Sequence, residues 1–127
     1  MTEQLTTYSA LLGQIVGSLR QRQRFEQLRM ADALGLSQAS YSRLEGGKAL
    51  WSIDQLMVVA RVLEVPVTDI IQILEQRAAD LHEAADVEVI AAGRANSRGG
   101  EANKSNTGAI LAGAALGALL TTLIMKK

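Results

Sequence analysis

The stretch Glu26-Gln27-Leu28-Arg29-Met30-Ala31-Asp32-Ala33-Leu34-Gly35-Leu36-Ser37-Gln38-Ala39-Ser40-Tyr41-Ser42-Arg43-Leu44-Glu45-Gly46-Gly47-Lys48 decides the fold. Apolar residues at Leu28, Ala31, Leu34, Leu36, Tyr41 and Leu44 draw two short helical stripes, roughly 26–34 and 38–45. Gly35 separates them, where a left-handed backbone carries no steric penalty. Ser37 is suited to cap the second helix, because its hydroxyl can accept from a free backbone N–H two or three residues on. Gly46-Gly47 stops that helix. Its outward face carries Gln38, Ala39, Ser42 and Arg43, small or hydrogen-bonding groups of the kind a helix needs to enter a DNA major groove.

Working outward, Tyr8, Leu11, Leu12, Ile15, Val16 and Leu19 keep the spacing of an amphipathic helix from Thr7 onward. Residues 1–6 read as frayed. The helix runs out in Arg20-Gln21-Arg22-Gln23-Arg24, cations that suit a solvated helix C-terminus, with phosphate contact as a second use. Downstream, Ser52 and Gln55 predict a capping box for a fourth helix with Ile53, Leu56, Met57, Val59, Ala60 and Leu63 on its apolar side. Val65-Pro66-Val67 breaks the chain. Thr68 can cap a fifth helix, lined by Ile70, Ile71, Ile73, Leu74, Ala78 and Leu81 and continuing to about Ala85. No strand alternation of useful length appears, so the expected class is all-α: a five-helix domain over residues 7–92.

With 127 residues the chain accommodates one small domain plus extensions. Its formal net charge is zero, but the charge is unevenly spread. Arg20, Arg22, Arg24, Arg29, Arg43 and Lys48 face three acids over residues 20–48, whereas Arg77 stands alone among six acids over 69–88. No cysteine is present, which excludes disulfides and thiolate metal sites. The single histidine, His82, has no second ligand at metal-binding spacing, and no nucleophile motif appears. Neither an enzyme activity, a cofactor nor a small-molecule ligand is expected.

Residues 93–106 are rich in Gly, Ser and Asn and predict a flexible linker. Residues 107–125 are apolar and Gly/Ala-rich, and a helix over them would span about 27–30 Å, close to one hydrocarbon core. Gly113 and Gly117 form a small-residue face suited to close helix packing in lipid. The expectation is a transmembrane anchor in the inner membrane, holding a cytoplasmic domain; the alternative is a helix that packs on that domain or on itself. The polar N-terminal residues carry no leader pattern.

Residues 13–74 resemble the Cro/Xre phage-repressor-type helix-turn-helix family. The matching skeleton is Gly13-x-Ile15, Leu19-Arg20, Gln27-x-x-x-Ala31-x-x-Leu34-Gly35-Leu36-Ser37-Gln38 and Tyr41-Ser42-Arg43-Leu44-Glu45-x-Gly47-Lys48, then Ser52, Leu56, Ala60 and Leu63-x-Val65. The resemblance implies a double-stranded DNA partner. It places Gln27 and Lys48 at backbone phosphate, and Gln38 where glutamine pairs with adenine. It puts the Ala39 methyl near a thymine and Arg43 in the groove or on its phosphate wall, with Ser37 and Ser42 on the same face. Glu45 takes a structural role; Tyr41 and Leu44 belong to the core. Arg24 stands where the family often has Gly, Glu26 where a small capping hydroxyl is common, and Trp51 where a proline is common.

Taken together, these readings predict a sequence-specific transcriptional regulator, a repressor working as a homodimer. A different class of function, a membrane-tethered adaptor using the same fold to bind a protein, requires an apolar or aromatic anchor on the recognition face.

Overall fold

A computed structural model of the chain describes residues 4–91 and 110–126. Five helices follow the predicted bounds closely: α1 Tyr8–Arg22, α2 Gln27–Leu34, α3 Gln38–Glu45, α4 Ile53–Leu63 and α5 Val67–Ala85. Local chemistry explains most ends. Thr7 caps α1 by accepting from the Ala10 N–H at 3.0 Å. Gly35 ends α2 in the left-handed region (φ 71°), and Ser37 caps α3 through the Ser40 N–H at 3.1 Å. Ser52 and Gln55 close the expected capping box on α4. Arg24 does adopt a positive φ, 59°, which costs a non-glycine residue about 1 kcal/mol. The fifth helix departs from expectation at its start. It opens at Val67 behind Pro66, whose fixed φ suits that position, and Thr68 does not cap it.

The core is one cluster built from all five helices, with Leu11, Val16, Met30, Tyr41, Val59, Leu63, Ile70 and Leu81 fully enclosed. Several residues assigned to apolar stripes lie outside it. Tyr8, Leu28, Ile53, Met57 and Ile71 are exposed, because stripes wider than the available helix contacts leave their edges in solvent.

Two expectations are corrected, the first of them the absence of strands. Residues Gln4–Thr7 form strand β1, although 1–6 read as frayed and Thr7 as the start of the first helix, and Val87–Ile90 form β2, which pairs parallel with it from Gln4↔Val87 to Thr7↔Ile90. Ile110–Leu111 form β3 and pair parallel on the other edge of β1, so the order is β2-β1-β3. Strands this short leave almost no periodicity in a sequence. Their partners are far apart in the chain, as parallel pairing requires a long connection. Thr6, fully buried in the central strand, donates its hydroxyl to the Leu111 carbonyl at 2.6 Å.

The second correction concerns the apolar tail. It forms α6, Gly113–Lys126, 14 residues long, or about 21 Å at the α-helical rise. Among the described residues no helix is long and apolar enough to cross a membrane. Instead α6 packs against α1 and α5, burying Leu116, Leu120 and Leu123 in the common core. Its small-residue face serves a contact within the chain. A Cβ on Gly117 would stand 2.7 Å from the Gln14 side-chain oxygen, and Gln14 donates to the Gly113 carbonyl at 3.1 Å. The alternative reading, a helix packed on its own domain, is the one the fold adopts. The expected linker, 93–106, lies outside the described residues.

Candidate nucleic-acid interface

The geometry of the two-helix unit rests on Glu45, at the end of α3. Arg20 donates to it twice, Nε to Oε2 at 2.6 Å and Nη2 to Oε1 at 3.1 Å, while Nη1 reaches the Phe25 carbonyl at 2.7 Å. Tyr41 donates its hydroxyl to Glu45 Oε2, and Gln27 its side-chain amide to Oε1 at 3.0 Å. One carboxylate, at the end of α3, therefore ties α1, the first residue of α2 and the middle of α3, and Arg20 carries the link on to the α1–α2 turn. Both charged groups are buried, so they stand on these hydrogen bonds rather than on water. Burial by itself would raise the Glu45 carboxyl. Donation from Arg20, Tyr41 and Gln27 outweighs it and holds the group below the usual glutamate range. The Tyr41 hydroxyl is pushed up, first by burial and then by its bond to Glu45.

Arg20 is the residue whose role the sequence reading missed. It was placed on a solvated helix end and is buried in the structure. A signal did exist: Arg20 lies one turn beyond Val16, on the enclosed side of α1. Glycines let the helices close around this group. A Cβ on Gly13 would stand 2.4 Å from the Leu44 carbonyl oxygen, and one on Gly17 3.2 Å from Glu45 Oε1.

With the C-terminal end of α3 anchored inward, its other face is open. Ser37, Gln38, Ala39, Ser42 and Arg43 are all exposed, as is Lys48 in the following turn. Gln27 is half-buried, its amide nitrogen committed to Glu45; its oxygen lies 3.5 Å from the Gln38 amide nitrogen. The two glutamines, one opening each helix, are thus neighbours. Gly46 caps α3, and Gly47 turns the chain at φ 78°, with Ala10 and Ala112 packed where a side chain would project. On α2, the Arg29 guanidinium stacks over the Phe25 ring at 4.4 Å. Glu26 precedes α2 without a side-chain cap. Trp51 packs edge-on against Tyr41, ring centroids 6.4 Å apart, and its backbone N–H donates to Ser9.

Residues 17–70 match the model of a helix-turn-helix family. The segment is similar to helix-turn-helix domains of the Cro/C1 type. No match to the chain is found among curated proteins. The helix-turn-helix so defined begins midway through α1 and ends in the first turn of α5. The three strands and α6 are therefore additions outside the matched segment. They nevertheless touch it: Ala112, between β3 and α6, packs at Gly47, in the turn that follows α3.

Proposed function

We propose that the chain is a sequence-specific DNA-binding transcription regulator, a repressor acting as a homodimer. The observation that carries this reading is the exposed polar face of α3 on a helix whose inner side is locked by Glu45. Gln38, Ser42 and Arg43 read base edges in the major groove, with the Ala39 methyl available to a thymine. Gln27, Ser37 and Lys48 hold the phosphate backbone and set the register. Pre-organisation matters here, since a helix fixed before binding loses little freedom on contact.

Self-association is supported by Leu50, Ile53 and Met57, exposed apolar residues just beyond the recognition helix, the last two one turn apart on α4. A dimer would present two recognition helices to a two-fold symmetric site. The protein-adaptor alternative finds no apolar anchor on the recognition face, where Gln38, Ser42 and Arg43 stand.

The test is selection of a DNA site from a random pool, followed by titration of the full chain and its variants. Gln38→Ala and Arg43→Ala are each expected to lose about 1–3 kcal/mol on the selected site and to relax specificity at one position. Lys48→Ala should weaken all sequences alike and lower the salt slope by about one. Failure to enrich any sequence, or full affinity in both recognition-helix variants, rejects the assignment. Sedimentation of Ile53→Asp beside the unaltered chain tests the dimer: identical profiles would remove Ile53 from the interface.

A further inference from the structure

We propose that the cleft between α1, α5 and α6 binds a small amphipathic carboxylate. The cleft measures about 220 Å³. Its apolar wall is formed by Ile15, Leu19, Ile73 and Leu120. Arg22, from the end of α1, and Arg77, from the middle of α5, also line it, together with Ser18. No carboxylate lines it. Arg77 is also the one cation in the acidic stretch 69–88, and it lines both this cleft and a neighbouring groove that includes Asp69.

Each part of the ligand class follows from a part of the wall. Two planar guanidiniums without an acid favour an oxyanion, which they can bind through paired N–H donors. The aliphatic side favours a hydrocarbon body over inorganic phosphate or sulfate. A space of about 220 Å³ is at the small end for ligand pockets and suits a small organic acid. The other polar groups are already committed. Gln14 donates to the Gly113 carbonyl and Thr121 to the Gly117 carbonyl, which leaves Ser18 and the two arginines to meet the ligand. Nothing in the sequence points to the site, because its walls come from residues 14–22, 73–77 and 117–121. One wall is α6, which lies outside the helix-turn-helix segment.

The experiment is methyl NMR of the full chain, following Ile15, Ile73 and Leu120, at constant ionic strength. The probes are benzoate and hexanoate, their neutral amides, and inorganic phosphate. Saturable shifts of these methyls with the carboxylates are expected, about tenfold or more weaker with the amides, and absent with phosphate. The double variant Arg22→Gln, Arg77→Gln should lose carboxylate binding. Ser18→Trp, at an exposed position on the rim, should block it sterically while leaving both charges in place. No saturable shift with either carboxylate overturns the proposal. Equal binding of the amides, or unchanged binding by the double variant, removes the anion site, and equal binding of phosphate removes the amphipathic class. DNA does not enter these measurements, so their outcome is independent of the DNA-binding reading.

Discussion

Arg20 and Glu45 meet side-on in the interior, two N–H groups of one guanidinium on the two oxygens of one carboxylate, at 2.6 and 3.1 Å. The pair joins α1 to the end of the recognition helix and draws Tyr41 and Gln27 into the same carboxylate. Removing one member leaves the other buried without its partner, which costs about 3–5 kcal/mol. Glu45→Ala should lose stability on that scale in urea denaturation. A double variant with apolar groups of similar volume, Arg20→Met with Glu45→Leu, should recover part of the loss, because no charge is then stranded. Equal stability of Glu45→Ala and the parent chain would show the pair to be solvent-supported after all.

The same carboxylate gives a pH dependence whose sign is determined. Its folded value lies below the ordinary 4.5, so the unfolded chain binds the proton first as pH falls. The stabilisation is present above about 4.5 and is lost as pH drops through the lower, folded value. Urea midpoints of the parent chain measured downward from neutrality should fall below pH 4.5 more steeply than those of Glu45→Gln. Parallel curves would assign the acid transition to other groups.

Leu116 decides between a packed tail and a free one. It is fully enclosed on α6, against the core shared with α1 and α5. Leu116→Ala is expected to cost about 2–5 kcal/mol of the domain's own stability, the range for a leucine truncated in a core. A tail that stood away from the domain would show no change in its thermal midpoint.

Two glycines of helical contacts should respond unequally to alanine. At Gly13 the new Cβ would meet the Leu44 carbonyl at 2.4 Å and the Glu45 carbonyl at 2.7 Å, backbone that cannot step aside without moving α3. Gly13→Ala should therefore lose about 1–3 kcal/mol, as overpacked sites do, and weaken DNA binding with it. At Gly117 the nearest atom is the end of the Gln14 side chain, which can turn away. Gly117→Ala should cost less, and chemical denaturation of the two variants side by side checks the order.

Much of the two-helix unit is legible in the sequence. Stripes from Leu28 to Leu36 and from Tyr41 to Leu44, a capping serine and a glycine at each break specify α2 and α3, because these signals act within one or two turns. The exposure of Gln38, Ser42 and Arg43 followed from the same periodicity. Arg20 escaped because a charge at a helix end is ordinarily solvated, and only a carboxylate 25 residues away makes its burial tolerable. The apolar tail was misread because hydropathy measures the preference for leaving water and does not distinguish lipid from protein as the destination.

The sequence by itself determined the five helices, the caps of α3 and α4 and the face of α3, all matters of neighbours three or four residues apart. The tertiary structure decided what those helices share. It placed Gln4–Thr7 between strands more than eighty residues downstream, turned Arg20 inward to Glu45, and seated α6 on α1 and α5. Each of these contacts joins segments that local propensity treats as unrelated. What selects them is the burial of apolar surface and the satisfaction of buried polar groups, conditions met only when distant parts of the chain come together.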